Sequence, residues 1–187
     1  GGASAEGKRV QQSPEQLWVL PGEAAELNCP ISHHRSAVDW YKEKPDGGLY
    51  WIYRSSDYSP PSGRYSGRVE TGGNVSLTIS STRREDSGVY FCSLSTFSPQ
   101  FGDGTRLIVT DATEPELSIL VPVDTAEPGQ PPAAIPLLCH LRDVPRGWDT
   151  VSWQPGGDVA RVTRVTALDE HGVLNAWSIA WVSAERW

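Results

Sequence analysis

The stretch Glu85-Asp86-Ser87-Gly88-Val89-Tyr90-Phe91-Cys92 carries the strongest structural signal in the chain. Its valine and phenylalanine alternate with the residues beside them, as in a β-strand that packs on two faces. Cys29 precedes Trp40 by 11 residues and Cys92 by 63 residues. A cysteine, a tryptophan and a second cysteine at these distances favour an all-β fold in which two sheets pack face to face.

These residues resemble an immunoglobulin V domain, because Asp86-x-Gly-x-Tyr90-x-Cys92 matches the end of such a domain. The resemblance implies that Cys29 and Cys92 form a disulfide between the two sheets and that Trp40 packs against it. A disulfide implies folding in an oxidising, secretory compartment.

The same resemblance assigns structural roles to three more residues. Tyr90 stands two residues before the second cysteine, where the family has its tyrosine corner. Asp86 is expected to pair with Arg64, which lies in the segment 62–67 where the family keeps its partner arginine.

Both ends of this domain resemble an antigen receptor. Val10-Gln-Gln-Ser-Pro14, followed by Pro21-Gly-Glu23, is similar to the start of a T-cell-receptor variable domain. Phe101-Gly-Asp-Gly-Thr105 is similar to the joining segment of light chains and T-cell receptors, whose glycines form a bulge in the last strand.

Length and charge limit the function classes. The 187 residues, 38% of them apolar, suit two domains of about 100 residues each. Residues 1–111 hold 11 basic and 13 acidic side chains, and residues 112–187 hold 5 and 10, which gives the net charge of −7. Neither part has the basic excess that nucleic-acid binding needs.

No apolar run approaches the ~20 residues of a membrane span and no leader opens the chain, so we expect a mature ectodomain.

The second part of the chain resembles a C1-type constant domain. Leu117–Val121 and 135–141 are expected strands, Cys139 lies in the second of them, and Trp153 follows 14 residues later. A hairpin is expected from Val162 to Ser183. The segment Cys139-His-Leu-Arg-Asp-Val-Pro-Arg-Gly-Trp-Asp149 is similar to the pre-T-cell-receptor alpha chain.

We therefore predict a tail at 1–9, a V domain at 10–111 with a joining-type last strand, and an incomplete C1-like domain at 112–187. In such domains a second cysteine follows a segment like 182–187, so strands F and G and the partner of Cys139 are expected outside the sequence. Two explanations stay open: a longer chain, or strands donated by a partner chain.

Nothing in the sequence favours an enzyme. His33-His34 is the only pair of histidines, and it has no Cys, Asp or Glu at the spacing of metal ligands. No nucleophile motif and no phosphate-binding glycine loop is present. We predict a protein without catalytic residues, metal or cofactor.

The loops at one end of the first domain are the candidate ligand-binding sites. By resemblance they span 32–37, 54–60 and 93–100, and aromatic and arginine side chains in them suit protein contacts. Any V-like domain has such loops, whether or not they bind. The candidate ligand-binding residues are His33, His34, Arg35, Arg54, Tyr58, Leu94 and Phe97.

One face of the first domain is the candidate surface for pairing with another chain. The resemblance implies that this surface contains Tyr41, Glu43, Pro45, Leu49 and Phe101. Where Glu43 stands, the family often has a glutamine that bonds its twin across the dimer axis. Two glutamates repel there, so we expect no symmetric homodimer and a partner with Lys, Arg or Gln opposite Glu43. Lys42 and Lys44 flank this residue and soften the effect.

Two further features were assigned from the sequence. Asn74-Val75-Ser76 is an acceptor motif for N-glycosylation. Trp177 and Trp181 share a face with Ile179, for which core packing is the favoured interpretation and a constant-domain interface the alternative.

These patterns together predict an extracellular chain of a cell-surface immune receptor. It would recognise a protein ligand, an MHC-like molecule being one candidate, and associate with a partner chain and signalling subunits. A membrane anchor would lie in a segment outside the sequence. The alternatives are an invariant or surrogate assembly chain that pairs with a receptor subunit, and an innate, non-rearranging V-type receptor or adhesion molecule.

Overall fold

The computed structural model describes residues 11–31, 37–94, 100–123, 134–148, 151–154 and 159–186. The chain divides into two compact units, Gly1–Val109 and Thr110–Trp187. Apart from two short 3-10 helices, Arg84–Asp86 and Ala184–Arg186, the regular structure of the described residues consists of β-strands. The predicted all-β fold is confirmed.

The described residues of the first unit form nine strands in two sheets. They are β1 Gln16–Val19, β2 Ala25–Pro30, β3 Val38–Glu43, β4 Leu49–Ser55, β5 Tyr65–Glu70, β6 Asn74–Ile79, β7 Gly88–Leu94, β8 Gln100–Phe101 and β9 Thr105–Val109. The larger sheet has the order β1-β9-β7-β3-β4, with β8 also paired to β7. The smaller sheet has the order β2-β6-β5. Strand β1 runs parallel to β9, and the other pairs in both sheets are antiparallel.

Alternating apolar residues place the core between these two sheets. Leu27 of β2 and Leu77 of β6 pair directly, and both are fully buried. Trp40 of β3 pairs with Cys92 of β7 and is also fully buried. Cys29 and Cys92 form the predicted disulfide across the core, with their Cα atoms 6.3 Å apart.

A buried polar contact fixes the Trp40 ring within the core. Its indole Nε1 donates a hydrogen bond of 3.0 Å to Ser55 Oγ. Ser55 Oγ in turn donates to the backbone oxygen of Ser76, at 2.8 Å. Because buried polar groups are costly unless they are paired, this relay from β3 through β4 to β6 ties the two sheets together.

The tyrosine corner and the arginine–aspartate pair also form. Tyr90 Oη donates to the backbone oxygen of Asp86 at 2.5 Å. Arg64 donates to both carboxylate oxygens of Asp86, at 2.6 and 2.8 Å. Burial opposes ionisation of Asp86, but the hydrogen bonds from Arg64 and from the Arg83 amide outweigh it and hold the pKa of the carboxyl below its usual value.

The second unit has one antiparallel sheet among its described residues. Its strands are β10 Glu116–Leu120, β11 Ala134–Arg142, β12 Val159–Leu168 and β13 Leu174–Ser183. Their order is β10-β11-β13-β12, which is the A-B-E-D order of the larger sheet in a C1 domain. Residues 151–154, which hold Trp153, do not form a strand. A strand needs a hydrogen-bonded neighbour, and the described residues supply none at that position.

The face of this sheet that carries Cys139 is partly uncovered. Trp153 reaches it and donates from Nε1 to Ser178 Oγ at 2.9 Å. On the same face, at the β10 edge, Leu117 and Ile119 are 63% and 57% exposed. Cys139 itself is buried and forms no disulfide with a described residue.

Candidate binding surfaces

The larger sheet of the first unit presents an outward face whose residues are set by strand alternation. On β3, Trp40 points into the core, so Tyr41 and its neighbour two residues on, Glu43, point outward. Tyr41 packs edge-on against Phe101 of β8, with ring centroids 5.5 Å apart. Phe101 is 40% exposed, and Leu49, opposite Glu43, is 38% exposed. We call the outward side of β3, β4, β7 and β8 the pairing face.

Trp51, two residues after Leu49 on β4, also lies on the pairing face, and a β-bulge follows it. The register changes from Trp40 opposite Tyr53 to Tyr41 opposite Trp51, which leaves Ile52 without a cross-strand partner in this register. Ile52 packs against the core, and Trp51 is turned outward with 55% of its surface exposed. A bulge adds one residue to one strand and thereby re-aims the side chains beside it.

The bulge also places Arg54 and Trp51 on the same side of the sheet, where both contact Asp39 of β3. Trp51 Nε1 donates to Asp39 Oδ1 at 2.9 Å. Arg54 Nε and Nη2 donate to Asp39 Oδ1 and Oδ2, each at 3.1 Å. The positive charge of Arg54 is therefore largely balanced by a carboxylate of its own chain.

Glu43 is the acidic position of the pairing face. It is half-buried, and its carboxylate has no hydrogen bond or ion pair within the described part of the chain. Lys42 does not compensate it, because its Nζ donates to the backbone oxygen of Glu85 at 2.9 Å and lies 5.5 Å from the centre of the Tyr90 ring. Burial lowers the pKa of Lys42, although the charges of Asp86 and Glu85 oppose this shift.

Most residues that the sequence assigned to pairing do lie on this face. Tyr41, Glu43, Leu49 and Phe101 are brought together on it, whereas Pro45 lies exposed in the turn between β3 and β4. Sequence reasoning missed Trp51. Alternation from Leu49, two residues earlier on β4, places it outward. What alternation does not predict is Arg54 on the same side, because the bulge at Ile52 shifts the phase of the strand.

The second predicted loop has a defined geometry that presents Tyr58 to solvent. Tyr58 is 94% exposed. Behind it, the hydroxyls of Ser56 and Ser59 lie 2.6 Å apart, and Ser56 Oγ accepts from the Tyr58 amide at 3.3 Å. Tyr53 Oη donates to the backbone oxygen of Pro60 at 3.0 Å, so the loop is tied to β4 at both ends.

The other loop candidates divide into two groups. Leu94 ends β7 and is half-buried, opposite Val38 of β3 and Gln100 of β8. His33, His34, Arg35 and Phe97 lie outside the described residues.

Asn74, the predicted glycosylation position, begins β6 and is half-buried. Its side-chain amide donates to Asn28 Oδ1 at 3.0 Å. The serine of the motif, Ser76, is fully buried, and its hydroxyl has no hydrogen-bond partner in the described part of the structure. Asn74 pairs with the last residues of β2 and β5, so it lies at the margin of its sheet.

The second unit has an apolar face opposite the one that carries Cys139. Trp177, Ile179 and Trp181 alternate along β13 and are half-buried, whereas the residues between them are buried on the other side. Trp177 stacks on His140, with ring centroids 5.2 Å apart. The interpretation of these residues as core is therefore wrong, because the side chains that fill the Cys139 face of β13 are the smaller ones between them.

The described residues include no cluster of three or more His, Cys, Asp or Glu side chains that could hold a metal ion. Among them, no helix has the length and apolar character that a membrane crossing requires.

Comparison with known proteins identifies the family of the first unit. Residues 12–110 match the model of the immunoglobulin V-set domain. The chain is 42% identical over 102 residues to T cell receptor beta variable 7-2 of Homo sapiens, covering 50% of this chain and 87% of that protein. It is 38% identical over 112 residues to the T-cell receptor beta chain V region CTL-F3 of Mus musculus, covering 54% and 83%.

An immunoglobulin heavy chain V region is also similar. The chain is 33% identical over 119 residues to the IgW heavy chain V region W26 of Heterodontus francisci, covering 56% of this chain and 98% of that protein. These relatives are antigen-receptor V regions by name, which confirms the predicted resemblance of the first unit to an antigen-receptor V domain and the prediction that the chain is not an enzyme. The chain belongs to the immunoglobulin V-set family.

Proposed function

We propose that this chain is the extracellular part of a cell-surface immune receptor that pairs with a partner chain and recognises a protein ligand. The pairing face carries the proposal. Four of its side chains, Tyr41, Leu49, Trp51 and Phe101, are apolar or aromatic, and the last three are between 38% and 55% exposed. Exposed aromatic groups that cluster on one face are the usual anchors of protein interfaces.

The charge of the pairing face limits the kinds of partner that can bind it. A second copy placed symmetrically would bring two Glu43 carboxylates together, with no cation of the described residues beside them. The proposed partner is a different V domain with a lysine, arginine or glutamine opposite Glu43 and an apolar surface opposite Trp51.

Ligand recognition is assigned to the loop end, where Tyr58 is presented by a loop with internal hydrogen bonds. A preorganised aromatic side chain loses little entropy on binding. The T-cell-receptor relatives support a protein ligand, and an MHC-like molecule is the first candidate to test. His33, His34, Arg35, Arg54, Leu94 and Phe97 remain proposed contributors to this surface.

The second unit is proposed to be a C1-like domain whose Cys139 face is completed by further strands. Three observations support this: the exposed Leu117 and Ile119, the unpaired Cys139, and the buried Arg164 Nε, which has no hydrogen-bond acceptor in the described part of the structure. Strands F and G of a C1 domain would cover this face. An intact mass of the natural protein, greater than that of the 187 residues by at least two strands, would support a longer chain.

One observation favours a second function, that of an assembly chain whose main task is pairing. The second unit offers its own apolar face, with Trp177, Ile179 and Trp181 half-buried on it and Val165 60% exposed. A chain with such faces in both units could assemble with a receptor subunit without any ligand contact at its loops.

Two substitutions separate these functions. Phe101→Asp should abolish binding to a partner V domain, because Phe101 lies on the pairing face. Tyr58→Asp should leave that binding unchanged and weaken ligand binding by the pair, because Tyr58 lies at the loop end. The probe is a yeast-displayed library of T-cell-receptor alpha, beta, gamma and delta V domains. If no member binds the chain, or if Phe101→Asp binds as well as wild type, the proposed pairing is wrong.

A further inference from the structure

Trp51 is an exposed indole whose orientation depends on a neighbouring strand. It lies on β4, at the edge of the larger sheet, with 55% of its surface exposed. An indole in that position has few packing neighbours to fix its two side-chain torsions. Binding would normally have to immobilise such a side chain, at a cost in affinity.

Asp39 supplies the missing constraint. Its carboxylate lies on the adjacent strand β3 and, among its contacts, accepts one hydrogen bond from Trp51 and two from Arg54, all between 2.9 and 3.1 Å. Its side chain is only 17% exposed, although the donors are open to water, with Arg54 50% and Trp51 55% exposed. The bonds draw their strength from the ionised acceptor, which makes them stronger than bonds between neutral groups.

The charge of this cluster is balanced from within. The Arg54 guanidinium engages both oxygens of Asp39, so the carboxylate requires no cation from a partner chain. A partner that faces Trp51 should therefore offer an apolar pocket. Glu43, which has no such counter-charge among the described residues, should instead face a donor.

We propose that Asp39 is a positioning residue that sets the specificity of pairing, because its carboxylate holds the Trp51 ring as a preformed anchor for an apolar pocket of the partner V domain. This inference rests on the proposed pairing through this face. The bulge at Ile52 is part of the device, since it brings Trp51 and Arg54, three residues apart, to the same carboxylate. The anchor is large and rigid, as interface hot spots usually are.

The effect on the ring can be measured on the chain alone. The indole N–H signal of Trp51, identified by its loss in Trp51→Phe, should be rigid on the nanosecond timescale in ¹⁵N relaxation and slow to exchange with water. In Asp39→Ala the same signal should become mobile and exchange at least ~10-fold faster. Asp39→Asn keeps the size of the side chain and one acceptor oxygen, so the mobility and exchange rate of its indole signal should lie between those of wild type and Asp39→Ala. An equally rigid indole in Asp39→Ala would overturn the proposal.

The effect on pairing is measured with a V domain selected from the displayed library by the wild-type chain. Asp39→Ala should weaken binding by about 3- to 10-fold, mainly through faster dissociation. In a Trp51→Ala background, Asp39→Ala should cause no further loss, since Asp39 acts through Trp51. Glu70→Ala, which breaks the exposed contact with Arg68 on the smaller sheet, is the matched control and should leave affinity unchanged.

The outcomes separate the two proposals. A library without any binder overturns the proposed pairing itself. A binder whose affinity is insensitive to Asp39→Ala, or equally sensitive with and without Trp51, overturns the role of Asp39 and leaves the pairing proposal in place.

Discussion

Replacing Glu43 by glutamine should strengthen the association of this chain with itself. Glu43 is half-buried on the pairing face, opposite Leu49, and Lys42 is directed away from it toward Glu85. In a symmetric dimer two Glu43 carboxylates would meet near the axis. Two unit charges 4 Å apart repel by about 1 kcal/mol in water and about 4 kcal/mol at the effective dielectric constant of a protein surface.

At a half-buried position such as that of Glu43, the repulsion energy lies toward the lower end of this range. We therefore expect Glu43→Gln to lower the homodimer Kd by about 5- to 30-fold, which corresponds to about 1–2 kcal/mol. Sedimentation equilibrium over a range of protein concentrations measures this Kd. The gain should shrink at high salt, because salt already screens the repulsion in wild type.

A matched variant controls for net charge. Glu26→Gln removes the same charge from the exposed side of β2, in the smaller sheet, and should leave self-association unchanged. The reasoning is wrong if Glu26→Gln and Glu43→Gln act equally, if neither acts, or if wild type already forms a tight dimer centred on Glu43.

Three further predictions concern stability and reactivity. Asp86→Asn should cost about 2 kcal/mol of unfolding free energy at pH 7 by breaking the pair with Arg64. The pKa of folded Asp86 lies below its ordinary value of 3.8, so wild type should lose this advantage in unfolding free energy as the pH falls through the folded pKa. Urea titrations measure the difference in unfolding free energy between wild type and Asp86→Asn, and an unchanged difference at pH 2 would contradict this. Trp40→Phe should cost about 2 kcal/mol in the same titration, since it removes the donor to Ser55 and leaves a cavity, and a loss below ~0.5 kcal/mol would disprove that role. Cys139 should react slowly with iodoacetamide in the folded chain and rapidly in urea, because burial raises the pKa of its thiol; fast labelling without urea would refute this.

The parts of the fold that sequence could predict are those fixed by covalent or strictly periodic features. The disulfide between Cys29 and Cys92, the buried Trp40 and the pair of Arg64 with Asp86 all follow from a motif and its spacing. The alternation of apolar and polar residues along Asn74–Ile79 also agrees with β6, because a strand in the middle of a sheet is held in phase by neighbours on both sides.

The parts that sequence could not predict depend on contacts between strands. The position of Arg54 on the same side as Trp51 needs the bulge in β4, and a single inserted residue leaves no signal in an apolar run. Residues 151–154 have the composition of a strand but no ladder partner among the described residues. On β13 every second residue is a large apolar one, so periodicity marks two faces without saying which one is the core.

The orientation of Lys42 shows that the local sequence does not predict the charge of the pairing face either. Its position beside Glu43 suggested a softened negative charge, but neighbours on a strand point to opposite sides. Lys42 reaches the backbone of Glu85 and the Tyr90 ring instead. The acidic character of the pairing face is therefore stronger than the local sequence implied.

Hydroxyl-radical footprinting of the chain, alone and with a partner V domain bound, tests the central claim most directly. Pairing through the outward face predicts that Trp51 and Phe101 become protected from oxidation, while Tyr58 at the loop end stays as reactive as in the free chain. Protection of Tyr58 together with unchanged reactivity of Trp51 and Phe101 would contradict the account.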